Sequence, residues 1–498
     1  MRLSALISVS ALFLTFCIFE STASGPVIAP TSGLFATSTV KTEKSASLLQ
    51  LQRAWMTDAW PQIKGENIST LWIPGTHDTF TYDLDRDYIS AATSIPNSTC
   101  GPPVLSWAAS VAPSLVMQWA TTQTQDIVTQ LDMGFRYFDL RPNFNGTDIH
   151  FQHECVRTKN PISIYFNEIA SWLSSLGSDA KEIIILHFKD YSGSWNERAY
   201  TLLADIINKS LGSFLYGSNQ ANADNLTLDN IISYATASPP SVQKGPKVLC
   251  VMEAPDGGTT SLTVPGSDRL INYQSFMSRS WPNVNTVEAL LAASDKYVAQ
   301  RPVDKVLVLE GMITPRVRDA VQQTLRPGSG HLPSILLSWE QGYLDTTNLF
   351  LRHVASHYWA AHHAAPTMRQ EGVVVGDHPH QLHQLHQQTA SAFTGMVLML
   401  DNPHEVDAAF IANLNMGAPE SGRSVLVPFS YGSCAVKYDV WKFKCEVQMP
   451  DSCLESYNGT ALFVASSLSC HGMCCRGHDC GCGKAQMELC SLSEPMQE

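Results

Sequence analysis

The sequence contains no run of lysine or arginine, and its formal net charge is -13 at pH 7. An acidic chain without a basic patch is not drawn to the phosphates of nucleic acid, nor to anionic lipid by charge alone. Beyond its N-terminus it also lacks any stretch of about 18 uninterrupted apolar residues, the length that a membrane-spanning helix needs. Internal repeats are missing as well, which excludes a solenoid.

The N-terminus is typical of a protein destined for export. Met1 and Arg2 precede an apolar run that ends near Phe19, and small residues follow. We therefore predict a signal peptide over residues 1–24 and expect a secreted, extracellular protein. Residues 25–50 are rich in Ser, Thr, Ala and Pro without periodicity, which predicts a disordered leader. Because residues 491–498 are polar, we expect no lipid anchor.

Cysteine usage agrees with export. Of thirteen cysteines, one lies within the predicted signal peptide, and nine lie between Cys434 and Cys490. Because nine is odd, full pairing requires at least one disulfide from this tail to Cys100, Cys155 or Cys250. We predict a small disulfide-rich module over residues 422–498, in preference to the zinc site that its Cys and His content would also permit. Six Asn-x-Ser/Thr triplets predict a glycoprotein.

Residues 51–421 alternate short apolar runs with segments of helical spacing, which indicates βα units and a parallel sheet. We predict one distorted α/β barrel of the TIM type. Strands are predicted at 71–73, 135–140, 148–152, 182–188, 247–252, 305–309, 334–337 and 395–400. Helices are predicted at 125–131, 162–176, 197–209, 287–298 and 316–325.

Eight histidines lie within residues 353–386, partly in the low-complexity segment HPHQLHQLH. We interpret that segment as a flexible polar surface loop, with incidental metal binding as the alternative.

Ionisable residues follow almost every predicted strand, and functional groups of parallel barrels collect at that rim. They are His77, Asp78, Asp139, Arg141, His153, Lys189, Glu253, Glu310 and Asp401. Any one of them alone is more typical of a helix cap or a solvated loop. Two histidines on adjacent strands can act as general base and general acid, while an arginine between them neutralises a phosphoryl oxygen. The set suits phosphodiester cleavage by internal attack.

Five segments resemble the X domain of phosphatidylinositol-specific phospholipases C, from about Ala54 to about Pro403. They are LWIPGTHDTFTYD, QTQDIVTQLDMGFRYFDLRP, EIIILHFKD, VLVLEGMITPRV and GMVLMLDN. The resemblance, to stand-alone X-domain proteins and secreted bacterial enzymes, implies cleavage of phosphatidylinositol or a related inositol phosphodiester through a cyclic inositol phosphate. We expect a monomer that contacts a membrane surface transiently and does not bind nucleic acid.

The resemblance also implies a role for each matching residue. His77 corresponds to the general base, and Asp401 to the carboxylate that orients it. His153 corresponds to the general acid, with Asp78 close to it. Arg141 corresponds to the arginine that binds the non-bridging phosphate oxygens.

Two further residues, Lys189 and Glu310, are candidate head-group ligands, with solvated rim charges as the alternative. Because a fixed guanidinium can supply the positive charge that calcium supplies elsewhere in the superfamily, we expect no metal and no cofactor. For Arg141 itself, the alternative is a structural salt bridge with Asp139 or Asp78. Glu154 follows the second histidine at a position where the family usually has glycine.

Other functions stay open at this stage. A metal-dependent glycerophosphodiesterase or sphingomyelinase-D-like barrel would need an acidic metal pair, for which Asp83 and Asp85 are the nearest candidates. A catalytically inactive secreted binding protein is the non-enzymatic alternative. The apolar segment that contains Trp107, Val111, Leu115 and Trp119 predicts either a membrane-dipping lid or an ordinary packed helix.

Overall fold

A computed structural model describes residues 53–88, 113–154, 156–217, 221, 223–234, 245–253, 269–302, 304–314, 343–359, 395–401, 403, 405–416 and five short strands between 425 and 474. The predicted signal peptide and leader lie outside the described residues. So do Cys100, Cys155, the low-complexity histidine segment and most of the predicted disulfide-rich module. Cys250 is buried and is a free cysteine.

Strands provide the framework of the chain. In chain order they are β1 Ile73–Thr76, β2 Tyr137–Leu140, β3 Pro142–Phe144, β4 Ile149–His153, β5 Val156–Arg157, β6 Ile183–Phe188, β7 Ser192–Gly193, β8 Lys247–Met252, β9 Ile271–Asn272, β10 Met277–Arg279, β11 Val306–Glu310, β12 Val397–Leu400, β13 Val425–Pro428, β14 Ala435–Asp439, β15 Lys444–Gln448, β16 Leu462–Phe463 and β17 Met473–Cys474. The last five pair in two small antiparallel sheets.

The central sheet contains eight parallel strands in the order β10-β11-β12-β1-β2-β6-β8-β9. Its two end strands do not pair with each other within the described residues. The sheet is therefore a curled half-barrel, which confirms the mixed α/β class and the parallel order but only part of the predicted barrel. β6 and β8 are buried at every position, as expected when both faces of a parallel sheet are covered.

One predicted barrel strand is wrong. The run at 148–152 forms β4, which pairs antiparallel with β3 and β5 in a separate four-stranded sheet, β5-β4-β3-β7. The two histidines consequently do not lie on adjacent barrel strands. Six predicted strands do lie in the central sheet, β9 and β10 were not predicted, and the run at 334–337 lies outside the described residues. Short apolar runs do not encode their pairing partner, which explains the error.

Helices connect and cover the sheet. They are α1 Trp55–Ile63, α2 Pro113–Ala120, α3 Ile127–Asp132, α4 Ile162–Ser175, α5 Glu197–Leu211, α6 Leu228–Ile232, α7 Tyr273–Phe276, α8 Val287–Ala299, α9 Tyr343–His353 and α10 Glu405–Asn413. Four of the five predicted helices are confirmed within a few residues, and the fifth, at 316–325, lies outside the described residues. No helix of the described part combines the length and apolarity needed to cross a membrane.

Side-chain caps fix several helix starts. The carboxylate of Asp126 accepts a hydrogen bond from the backbone N–H of Thr129 at 2.7 Å. Asn196 caps α5 in the same way at 3.1 Å, and the Thr286 hydroxyl caps α8 at 3.3 Å. Each cap satisfies a backbone donor that the first turn of a helix leaves unpaired, which is worth about 1 kcal/mol.

Close packing of β1 against β2 fixes the position of the residues that follow β1. Gly75 precedes the first histidine by two residues, and a Cβ there would lie 2.7 Å from Cδ1 of Tyr137 on β2. Only glycine therefore permits the observed approach of the two strands. At the opposite strand ends, Arg136 and Glu182 form a fully buried ion pair with two contacts of 2.8 Å, joining β2 to β6.

The predicted lid segment is described only in part, because Trp107 and Val111 lie outside the described residues. In α2, Ala120 is buried against Leu84 and Val156, and Met117 packs beside them. This end of α2 is an ordinary packed helix.

Candidate active site

His77 stands directly after β1, and its backbone is fixed from two sides. Its N–H donates to the carbonyl of Leu400 at 2.9 Å, and its carbonyl accepts from Nε2 of Gln123 at 2.8 Å. In the side chain, Nδ1 lies 2.6 Å from Oδ1 of Asp401, and Nε2 lies 2.7 Å from Nη2 of Arg141. A guanidinium only donates, so Nε2 accepts, and Nδ1 carries the proton that it donates to Asp401.

Burial controls the charge of this pair. It lowers the pKa of His77 to about 3, with the guanidinium of Arg141 acting in the same direction and the carboxylate of Asp78 opposing it. Burial also raises the pKa of Asp401 to about 7. At neutral pH His77 is therefore a neutral imidazole whose Nε2 lone pair is directed toward Arg141.

His153 ends β4 and approaches from the small antiparallel sheet. Its Nδ1 lies 2.7 Å from the carbonyl oxygen of Ala120, so Nδ1 carries a proton. Its Nε2 lies 3.4 Å from Oδ2 of Asp78, and the same oxygen lies 3.3 Å from Nε2 of His77. The centroids of the two imidazole rings are 6.4 Å apart. Asp78 thus bridges the two histidines.

Left-handed backbone is concentrated beside the site residues. Asp78, Glu154 and Asp190 have φ values of 45°, 50° and 49°, a region that costs a side-chain-bearing residue about 1–2 kcal/mol. Each directly follows a predicted site residue. A glycine after the second histidine would adopt this conformation without strain.

Arg141 is held among carboxylates. Its Nε lies 2.6 Å from Oδ1 of Asp78, 3.6 Å from Asp190 and 3.9 Å from Asp139. Burial opposes its charge, yet the carboxylates of Asp78 and Asp139 raise the pKa of Arg141 above its ordinary value. The salt bridges considered as the alternative are therefore formed, and the same guanidinium also contacts His77.

Lys189 and Glu310 both line one cleft together with Arg141. The cleft has a volume of about 240 Å³, and its other lining residues are Gln152, Glu154, Asp190, Arg279 and Trp281. The ammonium of Lys189 is almost wholly buried, 3.2 Å from Oδ1 of Asp139. Burial raises the pKa of Glu310 to about 7. Neither residue is a solvated rim charge.

Five cleft residues are absent from the sequence-based set: Gln152, Glu154, Asp190, Arg279 and Trp281. The guanidinium of Arg279 lies 3.5 Å from Glu253, 3.7 Å from Asp190 and 3.8 Å from Glu310. Arg279 obeys the strand-end rule, but β10 has only three residues and gives too short a signal. Trp281 is 58% exposed beside it, and no motif indicates it.

A metal could be held by His77, Asp78 and Asp139, whose ligand atoms all lie within 4.8 Å of one another. The guanidinium of Arg141 contacts both His77 and Asp78, so it already supplies positive charge there. Asp83, considered for a metal pair with Asp85, instead accepts hydrogen bonds from Asn160 and Tyr165. In the described part of the chain, neither Asp83 nor Asp85 belongs to a metal-ligating cluster.

Comparison with known proteins gives one consistent group. No protein-family profile matches the chain. PI-PLC X domain-containing protein 1 of Mus musculus is 35% identical over 175 residues, which cover 34% of this chain and 48% of that protein. The Homo sapiens protein of the same name is 30% identical over 176 residues, 34% of this chain and 52% of that one. The chain spans about half the length of these curated relatives.

Two solved structures are also similar. The phosphatidylinositol-specific phospholipase C from Listeria monocytogenes covers 73% of this chain and 98% of its own, with 15% identity and a TM-score of 0.41. A mutant of the enzyme from Staphylococcus aureus covers 74% and 99%, with 16% identity and a TM-score of 0.40. The curated relatives confirm the resemblance that the motifs indicate: over about a third of its length, this chain is similar to PI-PLC X domain-containing proteins.

Proposed function

We propose that the protein is a phosphodiesterase that cleaves phosphatidylinositol or a related inositol phosphodiester with two histidines and without a metal. The observation that carries the proposal is the arrangement around His77, with Asp401 on Nδ1 and Arg141 on Nε2. It supplies a neutral base oriented by a carboxylate beside a fixed positive charge. Such groups are what internal attack on a phosphodiester needs.

In the first half of the reaction, Nε2 of His77 takes the proton of the inositol 2-hydroxyl. The freed oxygen attacks phosphorus and forms the cyclic phosphate. As His77 becomes an imidazolium, the Asp401 carboxylate stabilises it through the 2.6 Å contact. Arg141 neutralises the charge that develops on the non-bridging oxygens.

In the second half, the bond from phosphorus to the leaving oxygen breaks, and that oxygen needs a proton. His153 can give it from Nε2 when the ring is an imidazolium, because Nδ1 already donates to the Ala120 carbonyl. Oδ2 of Asp78 lies 3.4 Å from the same Nε2. Lys189 and Glu310 are the residues we assign to the inositol hydroxyls, since both line the cleft beside Arg141.

A second candidate is a metal-dependent reaction at His77, Asp78 and Asp139, the group close enough to hold an ion. A divalent cation there would have to share the site with the Arg141 guanidinium, and the two positive charges would repel each other. This repulsion favours the metal-independent proposal.

We further propose that the protein acts as a secreted monomer that meets its lipid substrate at a membrane surface. The signal-peptide pattern and the acidic charge support this, since an acidic chain approaches lipid through apolar and aromatic residues. Exposed Trp281 at the cleft is one such residue. Secretion is tested by sequencing the N-terminus of protein recovered from culture medium; recovery only from cells would contradict it.

The experiment that tests the activity measures inositol phosphate released from phosphatidylinositol vesicles by the purified protein in excess EDTA. The parent is compared with His77→Ala and His153→Ala, and His357→Ala serves as the control because it removes an exposed histidine that is not in the site. Cleavage that survives EDTA and is lost in the two site variants supports the proposal. Activity that requires added calcium or magnesium supports the metal-dependent candidate instead. Inactivity under both conditions supports a binding protein.

A further inference from the structure

One of the six Asn-x-Ser/Thr triplets, Asn145-Gly146-Thr147, lies at the tip of the hairpin that joins β3 to β4. Residues 145–148 are exposed, whereas β3 and the start of β4 on either side of them are buried. We propose that Asn145 carries an N-linked oligosaccharide. The proposal goes beyond the proposed reaction but rests on the proposed secretion, because only a chain that enters a secretory compartment meets the transferase.

Hydrogen bonds fix the shape of this turn and leave the acceptor atom free. Oδ1 of Asn145 accepts from the backbone N–H groups of Thr147 and Asp148, at 2.8 Å each. The backbone N–H of Asn145 donates to the carbonyl oxygen of Asp148 at 3.2 Å. This Asx turn uses only the oxygen of the side-chain amide. Nδ2, the atom that receives the sugar, has no hydrogen-bond partner among the described residues.

The tip of the hairpin also has room for a bulky group. Gly146 has a φ of 98°, a backbone conformation that favours glycine. A Cβ built at this position meets no atom within 4 Å, so no neighbouring element of the described chain covers the turn. An oligosaccharide can therefore extend from Asn145 into solvent without displacing protein atoms.

The modification is a transfer to the amide nitrogen, and its donor class is a lipid-linked diphospho-oligosaccharide. A bond forms between Nδ2 of Asn145 and C1 of the first sugar, while the bond from C1 to the diphosphate oxygen breaks. A base of the transferase takes one amide proton, and the lipid diphosphate leaves with the bonding electrons. The acceptor triplet requires a hydroxyl at its third position, which Thr147 supplies.

The triplet at Asn67 provides a contrast within the same chain. Its Nδ2 donates to the carbonyl oxygen of Asp224 at 2.6 Å, and its third residue, Ser69, is buried. Transfer takes place while a chain folds, but the finished fold must still accommodate the sugar. A sugar on Asn67 would disrupt a contact between two distant segments, so we expect Asn67 to be unmodified.

Two further described triplets are also less suitable than the hairpin tip. Asn225 is exposed, but its Nδ2 donates to Oδ1 of Asp224 at 2.8 Å. The hydroxyl of its third residue, Thr227, caps α6 by accepting from the backbone N–H of Asn230 at 3.3 Å. The remaining triplet begins at Asn208, which lies inside α5 rather than in a turn.

The sugar would stand away from the catalytic cleft. β4 leads from the turn to His153, and its five residues span about 15 Å. Neither Asn145 nor Thr147 lines the cleft. An oligosaccharide at the tip therefore shields the hairpin and aids solubility without closing the path of the substrate.

The test uses the full chain, expressed with its own N-terminal segment in a eukaryotic secretory cell line. Protein from the medium, or from the cell extract if none is exported, is treated with peptide N-glycosidase in heavy-oxygen water, which converts each modified Asn to a labelled Asp. Peptide mass spectrometry gives the labelled fraction of Asn145 and Asn67. Thr147→Ala loses the acceptor hydroxyl and Thr147→Ser keeps it, while both retain the side chain of Asn145.

We expect Asn145 to be labelled at least about ten-fold more often than Asn67. Thr147→Ala loses this label and Thr147→Ser retains it, while circular dichroism shows that both keep the parent fold. Because Thr147→Ala retains the Asn-Gly pair, it also measures label from spontaneous deamidation, and equal label in this variant and the parent overturns the proposal.

The two sources of protein separate the sugar from secretion. Unlabelled Asn145 in protein from the medium overturns the proposed modification and leaves secretion standing. Labelled Asn145 in protein found only in cells supports the modification and contradicts secretion. Unlabelled Asn145 in protein found only in cells overturns both.

Discussion

The two histidines of the site are held by different kinds of structure. His77 follows a strand in the centre of the parallel sheet, and hydrogen bonds fix its backbone to β12 and Gln123. His153 ends a strand of the small antiparallel sheet and is oriented by a helix carbonyl, that of Ala120. The residue after it, Glu154, is exposed and left-handed. His77, the proposed base, is anchored by the core, whereas His153, the proposed acid, depends on peripheral contacts.

This difference indicates how the two functions can vary separately. Moving the base requires repacking β1, β2 and β12, which costs core stability. Moving the acid requires only a change in a hairpin or in α2. We expect the part of the site around His77, the base end, to define the reaction. The part around His153, the acid end, is expected to adapt the site to the leaving group.

The largest effect is expected at the base end. His77→Ala removes the proton acceptor, so kcat/KM falls about ten-thousand-fold. The loss must be independent of the leaving group, because attack by the 2-hydroxyl precedes its departure. Release of inositol phosphate from lipid vesicles, and of phenol from an aryl inositol phosphate, measures both cases. Retention of more than a tenth of the parent activity on either substrate would contradict the assignment of His77 as the base.

At His153, the expected loss of kcat/KM is smaller and depends on the leaving group of the substrate. His153→Ala lowers kcat/KM about thousand-fold on phosphatidylinositol, because the alkoxide leaving group needs a proton. An aryl inositol phosphate has a far better leaving group, so most of the loss disappears with that substrate. Comparing the two substrates in one variant measures this recovery. An equal loss on both would mean that His153 is not the acid.

Asp401, which contacts the proposed base His77, is expected to set the acid limb of the pH profile of kcat/KM. As the pH falls through about 7, Asp401 takes up a proton and no longer stabilises the His77 imidazolium, so kcat/KM falls. Asp401→Asn lowers kcat/KM about 100-fold at pH 8 and removes that limb. Initial rates between pH 5 and 9 for parent and variant check this. An unchanged limb in the variant would assign it to another group.

The smallest effect concerns stability at the acid end. Glu154→Gly relieves a left-handed residue, so the free energy of unfolding rises by about 1 kcal/mol. Glu168→Gly within α4 is the control and lowers it by about 1 kcal/mol, because glycine is a poor helix former. Urea titrations of the two variants measure both shifts. Destabilisation by Glu154→Gly would show that its side chain contributes more than its backbone costs.

Sequence reasoning located the base end well because a simple rule applies there. Arg141 and Asp401 each follow an apolar strand that the sequence identifies, and His77 follows β1, which overlaps the predicted run 71–73 at Ile73. Parallel strands bring such residues to one rim. The same rule placed Lys189 and Glu310 in the cleft. What it could not supply is the contact of Arg141 with His77, since side-chain distances are set by packing.

The acid end and the cleft show where the rule fails. We predicted a barrel strand before His153, because a run of five residues of mixed polarity does not show whether it pairs in a parallel sheet or in a hairpin. Arg279 was missed because its strand is too short to be periodic. The left-handed turn at Asp78 was also not predictable, since aspartate tolerates that conformation without demanding it.

The contact between Arg141 and His77 has a consequence for the resting protein. While the guanidinium donates to Nε2, the base is occupied and cannot accept a proton from water or from a passing alcohol. In the proposed reaction, a bound phosphodiester gives the Nη2 donor of Arg141 a charged acceptor and so frees Nε2 of His77, while Nε of Arg141 stays beside Asp78. Under this proposal, His77 can take up a proton only after an anion has bound beside Arg141, so the resting protein is unreactive toward water and other alcohols.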